Sequence, residues 1–325
     1  MGTIAPARTA VPAAFDQDRR LTYAVYVLLL LIIIFSTYLH YFQPQVLSVP
    51  GNMNVTAWRS PSFEQTTIHD RMTAEERERV RTAGIPMAGS ISYLVFNELF
   101  MILLCWWCFR HARKHYGFWM ASCFFIGSFV FTGLEESAWI LSGRYLGGTV
   151  SLAPGGVIYG TYWFTKGLLW FVETPVGACL GWFVYAYSCV WIAGRVLPKT
   201  GLLARATLGG LIAMGIDLWQ DPVLTSPELM GWVWGKGDWL LVFGIPLYNF
   251  VGWFLLIFLF AIFWEKLPQI VGKYGQRKAT AIFLSVCTVG SVVVAATIFV
   301  LCFGIAGTLL SAAGLQHPVQ IPPGW

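Results

Sequence analysis

Leu21 to Phe42 forms a mostly apolar run, and Ala279 to Leu310 forms another. About 20 apolar residues, at about 1.5 Å per residue in a helix, are enough to cross the hydrocarbon core of a bilayer. Such a segment must satisfy its backbone N–H and C=O groups internally, which leaves helices as the natural solution. Comparable runs recur at 91–109, 118–142, 173–194, 203–219 and 240–264, with 279–311 last. Of the 325 residues, 57% are hydrophobic and 11% charged, whereas soluble domains carry about 25% charged residues. The chain therefore reads as an all-α, polytopic integral membrane bundle of about seven transmembrane helices.

The polar residues divide this bundle. Residues 1–20 form a polar tail, 21–311 a single transmembrane domain, and 312–325 a second tail. The run from Leu21 is too long for a signal-peptide core and has no small-residue cleavage site after it. Pro44 and Pro50 open an extramembrane loop over 43–90, in which Thr73-Ala74-Glu75-Glu76 has the form of a capping box and predicts a short surface helix. The Gly-rich segment 157–171 is too short to cross and is expected to be re-entrant or to lie along the interface. No internal repeat stands out. Most Lys and Arg residues fall in the tail, Arg110 to Lys114, Arg195 to Arg205 and Lys266 to Lys278, which predicts an N-in, C-out topology. The net charge of +5 is thus read as topology and contact with membrane lipid, with no nucleic-acid partner.

Two spacings invite a metal reading and do not sustain it. Cys105 and Cys108 form a C-x-x-C inside a predicted span, with no second pair and no βαβ context. His111 and His115 are one turn apart, but beside Arg113 and Lys114 in a basic loop. No metal and no cofactor are expected.

The acids are more informative. Glu135 and Glu136 sit late in the third span, Glu173 opens the fourth, Asp217 and Asp221 close the fifth, and Asp238 precedes the sixth. In the N-in topology all six approach the same face. Acids at membrane depth are costly and point to function by default. Glu135 and Glu136 are adjacent, about 100° apart on a helix, so one of them is expected to face inward. Asp217 and Asp221 share a face at i, i+4, and two carboxyls in low dielectric do not both ionise easily. Such a pair can serve as a Brønsted acid; Pro222 after it suggests the end of the helix.

A longer string extends the pattern: Gly215-Ile216-Asp217, Asp221-Pro222, Trp232-Val233-Trp234, Gly244-Ile245-Pro246 and Asn249-Phe250-Val251-Gly252-Trp253. It resembles the carotenoid hydratase family, membrane enzymes that add water to the terminal double bond of acyclic carotenoid ends. Glu135 or Glu136 followed by Gly143-Arg144-Tyr145, and Glu173-Thr174-Pro175-Val176 with Gly181-Trp182, resemble that family more loosely. The likeness covers about 130–265. A weaker similarity reaches membrane-embedded lycopene cyclases, but Leu247-Tyr248-Asn249 stands where those carry an acidic pair.

The resemblance implies protonation of a trisubstituted alkene and capture of the cation by water, with no redox cofactor. Asp217 or Asp221 would be the acid; Asn249 with Glu135 or Glu136 would position the water. Trp219, Trp232, Trp234 and Tyr248 would offer ring faces to the cation, and Arg144, Tyr145, Glu173, Asp238 and Trp253 would complete the substrate site. Trp232, Trp234 and Trp253 equally suit an interfacial anchoring role. The implied ligand is a lipophilic polyene or other isoprenoid, and the implied setting a prokaryotic cytoplasmic membrane. Two other readings compete: an intramembrane prenyltransferase or cyclase, and a proton- or cation-coupled transporter.

Overall fold

A computed structural model describes residues 19–42, 72–83, 87–145, 162–234 and 240–301, with short pieces as far as 321. Its helices are α1 (Arg19–Phe42), α2 (Ala74–Ala83), α3 (Met87–Leu94), α4 (Met101–Tyr145), α5 (Val176–Val196), α6 (Leu202–Leu224) and α7 (Leu247–Phe299). A π-helical turn, Val95–Phe100, joins α3 to α4. Among the described residues, five stretches are long and apolar enough to cross a membrane: 19–42, 91–141, 176–196, 202–224 and 247–298.

Two of these stretches fold back on themselves. Gly117 (φ 81°, ψ 167°) breaks α4 and Gly275 (φ 75°, ψ 164°) breaks α7, in backbone conformations that glycine adopts without strain. Phe109 and Phe125 lie 6.1 Å apart across the first break, where a straight helix would separate them by about 24 Å. Phe260 and Phe283 lie 6.2 Å apart across the second. Each long stretch is therefore a helical hairpin. The second limb of α4, then α5, α6 and the first limb of α7 pack as successive neighbours around a ring. Small residues allow the close approach: a Cβ on Gly210 would come within 2.8 Å of the Phe254 backbone oxygen.

The ring is a tandem duplication. Strand β1 (Tyr162–Phe164), the hairpin β2 (Trp170–Phe171) and β3 (Thr174–Pro175), and α5 recur as β4 (Trp232–Trp234), β5 (Leu240–Val242), β6 (Ile245–Pro246) and α7. The pairings match: Trp170↔Pro175 and Phe171↔Thr174 in one hairpin, Leu241↔Pro246 and Val242↔Ile245 in the other. So do the turns, with Val172 at φ 56° and Phe243 at φ 53°. β1 and β4 pair antiparallel about Trp163 and Val233, so a pseudo-two-fold axis runs between them. The sequence follows once aligned in this way. Pro175 with Gly181-Trp182-Phe183 answers to Pro246 with Gly252-Trp253-Phe254, and Gly133-Leu134-Glu135 to Gly215-Ile216-Asp217.

This corrects the expectation of no repeat. The matching pieces are short, and the offset between copies changes from 82 residues in the helix to 70 at the strand and 71 from the hairpin on, so no constant period runs through the sequence. The strands also amend the all-α reading to a mostly helical one. Residues 173–175 and 240–246, expected to be helical, are in the hairpin segments; α5 and α7 begin only after Pro175 and Pro246, which lack the N–H a helix interior needs. Pro222 does not end α6, which runs on to Leu224.

The two copies are covered differently. On α1, Thr37 Oγ1 accepts from Trp170 N (2.9 Å) and Ser36 Oγ from Val172 N (3.0 Å). The corresponding edge of β5 pairs in parallel with β7 (Val319–Ile321). α2 is capped reciprocally: Thr73 N donates to Glu76 Oε2 (2.7 Å) and Glu76 N to Thr73 Oγ1 (3.2 Å). These bonds hold the Glu76 carboxyl below its ordinary range.

Candidate functional site

Asp217 and Asp221 stand one turn apart on α6, both fully buried. Asn249, in the first turn of α7, bridges them: its Nδ2 donates to Asp217 Oδ2 at 2.8 Å and to Asp221 Oδ2 at 2.7 Å. The other oxygens, Asp217 Oδ1 and Asp221 Oδ1, are buried and receive no donor among the described residues. Buried polar atoms are ordinarily satisfied, and a proton held between the carboxyls would satisfy both. Such a pair can hold a proton.

The second acidic pair lies across the ring on α4. Trp139 Nε1 donates to Glu135 Oε1 at 2.6 Å, and Trp182 Nε1, from α5, to Glu136 Oε1 at 2.9 Å. One of the two glutamates was expected to face inward; both find a donor, Glu135 from an indole one turn on in its own helix and Glu136 from an indole of α5. Glu135 and Asp217 occupy corresponding places in the two halves, each with a partner one turn on, Trp139 in one and Asp221 in the other.

Two adjoining cavities connect the pairs. The first is bounded by Asn97, Tyr185, Gln220 and Asp221, the second by Glu135, Trp139, Tyr248 and Leu256. Glu136, Trp182, Trp234, Asn249 and Trp253 line both, so the cavities meet at a shared junction. The junction lies where the two halves face each other: Trp182 and Trp253, equivalent in the duplication, have ring centroids 4.2 Å apart. The walls are aromatic. Trp139 stacks on Tyr248 (5.4 Å, 13°), and Trp234 meets Tyr248 edge-on at 5.8 Å.

The residues singled out from the sequence separate in space. Asp221, Asn249, Glu135, Glu136, Trp232, Trp234, Tyr248 and Trp253 line the cavities, and Asp217 stands behind Asp221, reached through Asn249. Trp219 does not join them. It is 66% exposed on the outer face of α6, because a residue two positions from Asp217 points away from it. Glu173 lines neither cavity; it is buried beside α1, 3.8 Å from His40. Asp238 lies outside the described residues, as do the side chains of Arg144 and Tyr145. His111 Nδ1 is 2.5 Å from Tyr187 Oη and packs edge-on to Trp191.

Among the cavity residues not anticipated are the polar and indole-bearing Asn97, Trp139, Trp182, Tyr185 and Gln220. Asn97 had a signal, since Asn97-Glu98 is a polar pair within an apolar span. Consecutive residues normally diverge around a helix, but here the π-helical turn buries both, a device common at functional sites. Asn97 Nδ2 donates to Tyr93 Oη (3.1 Å), and Glu98 Oε1 accepts from Leu168 N (3.3 Å) near the start of α5. Beneath them lies Lys166, 1% exposed. Its ammonium donates to Leu229 O and stands 5.2 Å from the Tyr93 ring centre; burial lowers its pKa to about 7.

Comparison with protein families matches residues 96–316 to the family described as carotenoid biosynthesis protein. No curated protein and no solved structure matches the chain.

Proposed function

The chain belongs to the carotenoid biosynthesis protein family, and from that premise we propose that it hydrates a terminal C=C bond of a carotenoid by carboxylic-acid protonation and water capture. The observation that carries this reading is the Asp217–Asn249–Asp221 cluster at the wall of an aromatic cavity within the membrane bundle. Protonating the less substituted carbon of a trisubstituted alkene leaves a tertiary cation. Such a step needs a desolvated acid and a π-rich surround, and Asp221 with Trp232, Trp234 and Tyr248 supplies both. Water then bonds to the cation, and its surplus proton returns to the carboxylate, so one water is added and the acid is regenerated. Asn249 and Glu136, which line both cavities, orient that water.

In this reading the helical hairpins at Gly117 and Gly275 give seven passes, N-in and C-out, across a prokaryotic cytoplasmic membrane. The single membrane domain is 21–311, between polar ends. Cyclisation would share the first protonation and differ only in what traps the cation. The polar groups around the junction favour water as the trap.

The test is expression in a lycopene-accumulating bacterium, with the pigments weighed by mass spectrometry. Wild type is expected to add one water per modified end, and Asp221→Asn and Asp217→Asn to abolish the gain at equal protein level. Unchanged lycopene beside well-folded wild type would overturn hydration of that substrate.

A further inference from the structure

The duplication gives the two cavities matching scaffolds, and the sequence equips them differently. On α5, Ala178, Gly181, Trp182 and Tyr185 line the first cavity; their counterparts on α7, Asn249, Gly252, Trp253 and Leu256, line the second. Tyr185, a hydroxyl, thus answers to Leu256, an alkyl chain. The first cavity gathers polar side chains from three elements: Tyr185 Oη donates to Gln220 Oε1 across the α5–α6 seam, and Asn97 and Asp221 stand beside them. The second is flat-walled, and its own carboxyl, Glu135, already accepts from Trp139 Nε1. The stacked Trp139–Tyr248 pair forms one side, with Leu256 and Ile298 nearby. Its glycine, Gly252, leaves only Ile298 within 4 Å of where a Cβ would stand, at 3.6 Å.

We propose that the two arms divide the substrates: the second holds the polyene, with its terminal alkene at the Trp182–Trp253 junction, and the first holds the attacking water on Asn97, Tyr185 and Gln220. This inference rests on the hydratase reading and deepens it. A buried water needs about two to four polar partners, and in the first arm Asn97, Tyr185 and Gln220 supply three. A conjugated chain is planar and apolar, and it stacks well on aromatic faces. Asp221 lies in the water arm next to the junction. It therefore delivers its proton to the alkene from the side on which the water waits, and can take back the proton that water releases.

Separate roles for the arms predict separable defects. In D2O, wild type adds a deuteron to one alkene carbon and a deuteroxyl to the other. With water capture impaired, the cation reverts by losing a proton from carbon, and the recovered polyene carries deuterium without oxygen. Membranes containing wild type, Tyr185→Phe, Gln220→Leu or Leu256→Trp are incubated with lycopene in D2O, and products and recovered substrate are analysed by mass spectrometry. Tyr185→Phe and Gln220→Leu are expected to lose hydration at least tenfold while still placing deuterium in recovered lycopene. Leu256→Trp, which fills the polyene arm, is expected to lose both signals, with its chromatographic profile in detergent unchanged. Hydration at the wild-type rate in Gln220→Leu and Tyr185→Phe, or in Leu256→Trp, would overturn the division of arms. Absence of both hydration and exchange in wild type would instead overturn the hydratase reading on which it rests.

Discussion

Trp182 and Trp253 hold corresponding places in two copies of one helix and meet with ring centroids 4.2 Å apart, tilted by 42°. Their equivalence ends at the indole nitrogen: Trp182 Nε1 donates to Glu136 Oε1 at 2.9 Å. A symmetric scaffold thus carries an asymmetric hydrogen bond at the point where both cavities meet. A hydrogen bond to a charged or acidic group contributes about 1.5–3 kcal/mol. Trp182→Phe, which keeps the ring contact and deletes the donor, is expected to lower hydration by about 10- to 100-fold. Trp253→Phe is expected to have the smaller effect. Relative product yields at matched protein level check the order.

Asn249 carries two bonds with one nitrogen, so its loss is felt by both aspartates. Asn249→Leu, of similar size, removes the amide that donates to both carboxyls and leaves two buried acids with no group bridging them. Orphaning a buried polar group costs about 1–3 kcal/mol each. The expected outcome is hydration reduced by at least 100-fold and a lower thermal unfolding midpoint in detergent. Asn249→Asp adds a third acid to the cluster and is expected to destabilise further. Thermal scans of both purified variants measure this directly.

What the sequence made legible here was chemistry along a helix; what it hid was chemistry between helices. The i, i+4 spacing of Asp217 and Asp221 survives into three dimensions because helical geometry alone fixes it. Glu173 looked equivalent on the same reasoning, but its direction is set by a hairpin and by α1, which draw it toward His40. Tyr185 and Gln220 carry no local signal at all, and become neighbours only through the packing of α5 on α6. Asn97 depends on a π-helical turn that no periodicity announces. The duplication was hidden for a related reason: its conserved geometry lies in turn backbones, at Val172 and Phe243, where the side chains differ little from ordinary apolar residues.

Helix packing offers a stability test independent of catalysis. At Gly210 an added Cβ would come within 2.7 Å of the Phe254 ring and 2.8 Å of its backbone oxygen, whereas at Gly194 it would meet nothing within 4 Å. Overpacking of this kind costs about 1–3 kcal/mol, while Gly→Ala in an open helical position gains about 0.5–1 kcal/mol. Gly210→Ala is therefore expected to lower the unfolding midpoint and Gly194→Ala to raise it slightly. Opposite signs from one chemical change, read in the same detergent, would locate the α6–α7 contact as the cause.

Lys166 makes stability depend on pH in a definite direction. Burial brings its folded-state pKa down to about 7, against about 10.4 for an unperturbed lysine in the unfolded chain. Below pH 7 both states carry the proton, and the folded state bears the full penalty of a buried ammonium. Between about pH 7 and 10.4 the unfolded chain binds more protons than the folded one, so stability rises with pH across that window. The wild-type unfolding midpoint, measured relative to Lys166→Met, is expected to climb between pH 7 and 9 and to stay level between pH 5.5 and 6.5. A difference that is flat from pH 7 to 9, or that falls, would show that the ammonium is retained at this site, held by Leu229 O and the face of Tyr93.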